Sequence, residues 1–96
     1  MTRSAGVTEA TAVLRMLSHP ERLRVLCHLV ADGELAVSEL LERVELSPSA
    51  LSQHLAKLRA QQLVSTRKHR QTVYYQVERD DVREILETLH RLYCRA

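Results

Sequence analysis

The chain carries two cysteines, Cys27 and Cys94, whose thiols could act as nucleophiles. Basic residues stand near both of them in the sequence, namely Arg24 and His28 near Cys27, and His90, Arg91 and Arg95 near Cys94. Nearby positive charge lowers the pKa of a thiol and so raises the fraction of reactive thiolate. Taken singly, Cys27 is more typical of a small apolar residue in a helix core, and Cys94 of an incidental residue near a helix end.

A second candidate for function is a long stretch without acidic residues. Between Leu46 and Val77 the sequence has five basic residues and no Asp or Glu, whereas the remainder has nine basic and twelve acidic residues. A basic segment on a neutral-to-acidic body is typical of proteins that bind nucleic acid. The alternative interpretation is an ordinary solvated basic face.

This stretch opens with a predicted amphipathic helix from Ser47 to Leu58. Ser47 is expected to cap the helix, and Pro48 suits its first position. Leu51, Leu55 and Leu58 share one face and should be buried. The opposite face is small, polar and free of acids, so it can approach the edges of DNA bases. In and after this helix we predict DNA contacts from Ser47, Ser49, Ser52, Gln53, His54, Lys57, Arg67, Lys68, Arg70 and Gln71.

After Gln62 the apolar pattern changes from a helical period to the period of a strand. Residues 63–67 and 72–77 predict two strands, and residues 68–71 between them predict the tip of a β-hairpin, which is basic because it contains Lys68 and Arg70. A hairpin directly after a DNA-reading helix is a wing, which follows the adjacent groove or backbone. Because the tip has no Gly or Asn, we expect a loose and mobile turn.

The remaining elements are helices that must hold this segment in place. Apolar spacing predicts them at residues 8–17, 19–30, 38–44 and 80–94, with a short strand at residues 34–36. Ser18 and Glu21 fit a capping box for the second helix, whose apolar stripe is predicted to be Leu23, Leu26, Cys27 and Val30. The predicted fold is mainly α with a small β-hairpin. It is a winged helix-turn-helix in which a short turn at residues 45–47 precedes the DNA-reading helix.

Length and composition indicate one globular domain over residues 1–96, with residues 1–7 disordered. No apolar run is long enough to span a membrane, and the N-terminus lacks the apolar core of a signal peptide. We therefore expect a cytoplasmic protein with reduced cysteines, and no membrane partner. A chain this short gains from dimerisation, which would cover the apolar stripe of the last helix. The predicted contacts with a second copy are Val13, Leu17, Val82, Ile85, Leu86, Leu89 and Tyr93.

At this point the sequence resembles the ArsR/SmtB family of winged-helix transcription regulators. Within that family it is most similar to the metal-independent branch of HlyU, BigR and SqrR. The family resemblance covers about residues 12–94 and rests on Leu35–Leu40, Ser47–Leu58 and Gln71–Tyr75. The similarity to this branch rests on three segments, Leu23–Leu29, Ser49–Leu55 and Leu89–Cys94. It implies a dimer that binds a near-palindromic operator in double-stranded DNA. One departure is Gln62, where the family usually has Gly and a left-handed backbone is preferred.

The resemblance also bears on metals, because many relatives sense them. At the position of the family's thiolate site this chain has Ala36 and Ser38 in place of cysteines. The family's zinc site on the last helix would need His where Arg83 stands, and His90 with Cys94 supplies only two ligands. We therefore predict no metal and no cofactor. A metal-responsive repressor stays an alternative, as does a module that uses the wing for contact with proteins.

What the resemblance implies for the cysteines is a thiol switch. Cys27 and Cys94 lie in the second and last helices, as in the persulfide-responsive branch. A reactive sulfur species or another oxidant would link them and so move the last helix against the DNA-reading domain. An enzyme is not expected, because the sequence offers no oxyanion pocket, Gly-rich loop or metal motif beside the thiols.

Overall fold

The computed structural model describes residues 4–93, with side chains from residue 6 onward. Within this range the elements follow in the order α1 (Ser4–Leu17), α2 (Pro20–Asp32), β1 (Leu35–Ala36), α3 (Val37–Arg43), α4 (Pro48–Ala60), β2 (Val64–His69), β3 (Thr72–Val77) and α5 (Asp80–Tyr93). The predicted winged helix-turn-helix fold is confirmed. None of the described helices is both long and apolar enough to cross a membrane.

The first helix begins earlier than expected. We predicted that residues 1–7 are disordered, but α1 starts at Ser4, so this prediction is wrong for residues 4–7. Ala10 and Ala12 favour helix formation in α1, of which residues 4–7 are the first turn. The Thr11 hydroxyl also donates a hydrogen bond to the carbonyl oxygen of Val7 at 2.8 Å, so this polar group finds an acceptor within α1.

The junction between α1 and α2 differs from the predicted capping box. Ser18 does not cap α2, because its hydroxyl donates to the carbonyl oxygen of Arg15 at 3.0 Å and so serves the end of α1. The N-cap of α2 is His19, whose side chain makes no capping hydrogen bond, and Pro20 follows at the first position. The Glu21 carboxylate lies 3.5 Å from the Arg24 guanidinium instead.

One hydrophobic core lies between the helices and one face of the sheet, and every described helix and strand contributes to it. In α2 the fully buried residues are Val25, Leu26 and Leu29. The predicted stripe of α2 is therefore only partly correct, since Leu26 is buried but Leu23, Cys27 and Val30 pack at the edge of the core. The buried face of α2 is rotated relative to the predicted stripe, because α2 contacts α5 and β3 as well as α1.

The sheet has the strand order β1-β3-β2, and both pairs are antiparallel. We call the β2–β3 hairpin, residues 64–77, the wing. His69 pairs with Thr72, so only Arg70 and Gln71 form the turn. The prediction of a loose tip is wrong, because Arg70 adopts a positive φ of 58° and closes a two-residue turn without Gly or Asn.

The residues predicted to contact a second copy are only partly on the surface. Val13, Leu17, Val82 and Leu86 are at most 5% exposed and pack inside the core of the single chain. Their assignment to a subunit contact is corrected, since they have almost no surface left to bury. Ile85 is half-buried against the core. The exposed large apolar side chains on the outer helices are Val7, Leu14, Leu92 and Tyr93.

Candidate nucleic-acid interface

The helix α4 is held in place by the cap and the buried face that its sequence predicts. The Ser47 hydroxyl accepts a hydrogen bond from the Ala50 amide at 3.1 Å, and Pro48 occupies the first helical position. Leu51, Leu55 and Leu58 are buried against the core. The other face of α4 therefore points away from the protein at a fixed rotation.

The exposed face of α4 carries most of the predicted DNA contacts. Ser49, Ser52, Gln53 and Lys57 are exposed, and Ser47 is exposed at the cap. No acidic residue occurs in α4, so a phosphate backbone would meet no repulsion from this helix. The short hydroxyl and amide side chains can donate and accept hydrogen bonds at base edges in the major groove.

His54 does not belong to this exposed face, and its predicted contact with DNA is corrected. Its ring is half-buried and stands edge-on to the ring of His19, with the two centroids 5.3 Å apart. Its Nδ1 atom is buried and has no hydrogen-bond partner among the described residues. Burial lowers the pKa of His54, and the nearby His19 and Arg22 lower it further. His54 therefore packs beside His19 and is not part of the exposed face of α4.

The wing presents Lys68, Arg70 and Gln71 at its exposed end. Within residues 4–93, Lys68 and Arg70 take part in no ion pair. Their charges are therefore available to phosphate groups. All three residues lie at the tip of the hairpin, as predicted.

Arg67 is exposed but engaged, which separates it from the other predicted wing contacts. Its Nη2 lies 2.6 Å from Oε1 of Glu34, and its Nε lies 3.3 Å from Oε2. The guanidinium also lies 5.1 Å from the ring centroid of Tyr74. The hydrogen bond lowers the pKa of Glu34 and raises that of Arg67. No local pattern pointed to Glu34, because the two residues are 33 positions apart in the sequence.

Cys27 lines a cavity of about 700 Å³. Arg24 and His28 line the cavity from α2, and His90 lines it from α5. The cysteine is half-buried. The predicted partner Cys94 lies outside the described residues, so the structure leaves the pairing as a prediction. In the described part of the chain, no group of three or more His, Cys, Asp and Glu side chains could hold a metal ion.

Residues 19–66 match the sequence model of the arsR family of bacterial regulatory proteins. The matched segment covers half of the chain and runs from the start of α2 through α4 into the wing. The chain belongs to the ArsR family.

Individual ArsR-family relatives agree in sequence and in fold. The transcriptional activator HlyU of Vibrio cholerae is 51% identical over 88 residues, which are 92% of this chain and 81% of that protein. A structure of reduced HlyU from Vibrio cholerae superposes with a TM-score of 0.86 and 48% identity, covering 95% of both chains. The repressor BigR from Xylella fastidiosa superposes with a TM-score of 0.86 at 30% identity, covering 94% of this chain and 88% of the other.

Membership of the ArsR family confirms that the chain is a transcription regulator with a DNA-binding helix-turn-helix. The relatives named above are regulators and not enzymes, which agrees with the sequence-based expectation. The helix-turn-helix consists of α3 and α4.

Proposed function

We propose that this ArsR-family regulator binds a near-palindromic operator as a homodimer. In this proposal α4 of each copy enters the major groove, and the wing tip contacts the neighbouring phosphate backbone. The observation that carries the proposal is the exposed, acid-free face of α4, together with the exposed Lys68 and Arg70, which form no ion pair among the described residues. Base contacts are assigned to Gln53 and its neighbours, and phosphate contacts to the wing.

The test separates base contacts from phosphate contacts. Replacing Gln53 with Ala should weaken operator binding by about 1–3 kcal/mol and leave binding to random duplex nearly unchanged. Replacing Lys68 with Ala should weaken binding to every sequence and flatten the dependence on salt. Both are measured by titrating labelled duplex at several salt concentrations. An unchanged preference for operator in Gln53→Ala would show that α4 is not the reading helix.

The surface for the second copy is assigned to the outer sides of α1 and α5. Leu14 and Leu92 are 58% and 49% exposed, although both are large apolar residues. A groove of about 310 Å³ between the two helices is lined by Ala10, Leu14 and Ile85 among others. Two copies joined here would each present α4, and successive major grooves require the two reading helices to lie about 34 Å apart.

Sedimentation of a Leu14→Glu variant tests this surface. The added charge would be buried without a partner in the dimer, so the variant should sediment as a monomer at micromolar concentration. Ala12→Glu is the matched control, because Ala12 lies in the same helix, is exposed and points to another side. A wild-type protein that is monomeric, or a Leu14→Glu dimer as tight as the control, would contradict the assignment.

We further propose that Cys27 and Cys94 form a thiol switch that responds to reactive sulfur species or oxidants. One thiolate attacks the sulfane sulfur of a polysulfide, forms a cysteine persulfide and expels the shortened sulfide. The second thiolate then attacks the sulfur of the first cysteine and expels hydrosulfide, which carries away the two electrons of the new disulfide. Support comes from the half-buried Cys27, whose cavity is lined by more basic side chains (Arg24, His28, Arg43 and His90) than acidic ones (Glu45).

The switch is tested by treating the wild type, Cys27→Ser and Cys94→Ser with polysulfide and with peroxide. Mass spectrometry should find an intramolecular link in the wild type alone, and operator affinity should fall in the wild type alone. Both variants should bind the operator normally before treatment. Release of DNA that persists in either variant would rule out a switch that needs both thiols and return Cys27 to a packing role.

A further inference from the structure

We propose that Arg67 is a positioning residue for DNA binding, although it lies in a basic wing. Its ion pair with Glu34 fixes the angle of the wing against the helix-turn-helix, while Lys68 and Arg70 supply the contacts to phosphate. The inference rests on the proposed DNA-binding function. It assigns a role to Glu34, an acidic residue outside the basic segment.

The register of the sheet places Arg67 and Lys68 on opposite faces of the wing. Val64 pairs with Val77, and both are buried on the face that packs against the helices. Side chains alternate along a strand, so Lys68 lies on the same face as Val64, and Arg67 lies on the outer face. The side chain of Arg67 therefore starts from the face that is turned away from α4.

The ion pair of Arg67 connects the two edges of the sheet. Arg67 pairs with Tyr74 in the ladder, Tyr74 pairs with Ala36 of β1, and Glu34 precedes β1. The guanidinium passes over the ring of Tyr74 and reaches both carboxylate oxygens of Glu34. The contact thus ties the outer strand β2 to β1 across the whole width of the central strand.

A brace is needed at this point because the ladder beside it is short. The strand β1 has two residues, Leu35 and Ala36, and so pairs with β3 at only two positions. The exposed ends of β2 and β3 extend beyond the core, where no side chain is buried. A two-point guanidinium–carboxylate contact has a fixed direction and therefore restrains the twist of the hairpin.

Salt dependence of DNA binding distinguishes a brace from a phosphate contact. Each phosphate contact contributes about −0.9 to the slope of log affinity against log salt. Lys68→Ala should therefore lower the steepness of the slope by about 0.9. Arg67→Ala should weaken operator binding about twofold to fivefold, as expected from the loss of an exposed ion pair, and leave the slope unchanged.

The other partner of the ion pair is tested by operator binding of Glu34→Gln, with Glu42→Gln as the control. Glu42 is exposed on α3 and forms no ion pair among the described residues, so it matches the change in net charge. Relative to that control, Glu34→Gln should weaken operator binding as much as Arg67→Ala does. The double variant should be no weaker than either single one, because both changes remove the same contact.

Hydrogen exchange provides a readout that does not need DNA. Amides of residues 64–77 should exchange faster in Glu34→Gln than in Glu42→Gln, because the hairpin has lost its brace. If Arg67→Ala flattens the salt slope by about 0.9, Arg67 is a phosphate contact and the brace is refuted. If Glu34→Gln binds the operator more tightly than its control and with a steeper dependence on salt, the brace is also refuted. If wild-type binding to duplex is independent of salt, the proposed DNA-binding function itself fails.

Discussion

Gln62 connects α4 to the wing in a backbone conformation that suits glycine, and replacing it with Gly should stabilise the protein. Its φ is 61°. Its amide donates to Arg59 at 3.0 Å, and the Leu63 amide donates to Leu58 at 2.9 Å. These two bonds form a Schellman motif, in which the residue at the Gln62 position is usually Gly.

The expected gain in the free energy of unfolding is the difference between two opposing contributions. A left-handed conformation costs a residue with a β-carbon about 1–2 kcal/mol. Glycine avoids this cost but loses about 0.5–1 kcal/mol more conformational entropy on folding. The free energy of unfolding of Gln62→Gly should therefore rise by about 0.5–1 kcal/mol. For a domain of this size that gain should raise the midpoint of thermal unfolding by about 2–8 °C.

The assay is urea and thermal unfolding at one fixed protein concentration, because the proposed dimerisation would make the midpoint depend on concentration. Gln61→Gly is the matched control, since Gln61 precedes Gln62 and has an ordinary φ of −85°. The control should lose about 0.5–1 kcal/mol, because glycine brings only its entropy cost there. A Gln62→Gly protein that is no more stable than the wild type would refute the strain assigned to this position.

Three further predictions concern stability and self-association. Because burial lowers the pKa of His54 when the protein folds, the unfolded chain gains protons first as the pH falls below the unfolded value of 6.5. Stability should therefore decline below that pH in the wild type, and less so in His54→Gln, as measured by urea midpoints at several pH values. Leu86→Ala should lose about 2–5 kcal/mol of unfolding free energy, whereas Leu92→Ala should chiefly weaken self-association, measured by sedimentation. Gly33→Ala should lose about 1 kcal/mol in urea unfolding, because its φ of 88° strains any residue with a β-carbon; full stability would contradict this.

Local chemistry made the reading helix predictable from the sequence. Ser47 and Pro48 act within one turn of the helix they start, and the leucine spacing of α4 shows which side is buried. The positive φ at Gln62 was also predictable, because the position follows the end of a helix where the family usually has Gly. The cap and the leucine spacing depend on neighbours within a few residues, whereas the expectation at Gln62 also drew on the family resemblance.

Contacts between distant segments were not predictable in the same way. The Arg67–Glu34 pair exists because β3 lies between β1 and β2, an order that the strand patterns alone do not give. His90 reaches the cavity of Cys27 because α5 packs against α2. Periodicity likewise shows that Val82 and Leu86 share a face, but not whether the same chain or a second copy covers it.

The two-residue turn of the wing restricts how its length can change in evolution. One residue added to each strand would move the tip outward by about 3.4 Å and turn every side chain beyond it to the opposite face. Lys68 would then exchange its side of the wing with Arg67. A longer wing that keeps its cations toward the duplex needs two more residues in each strand. Its reach therefore grows in increments of about 7 Å, or two base-pair steps along the DNA axis.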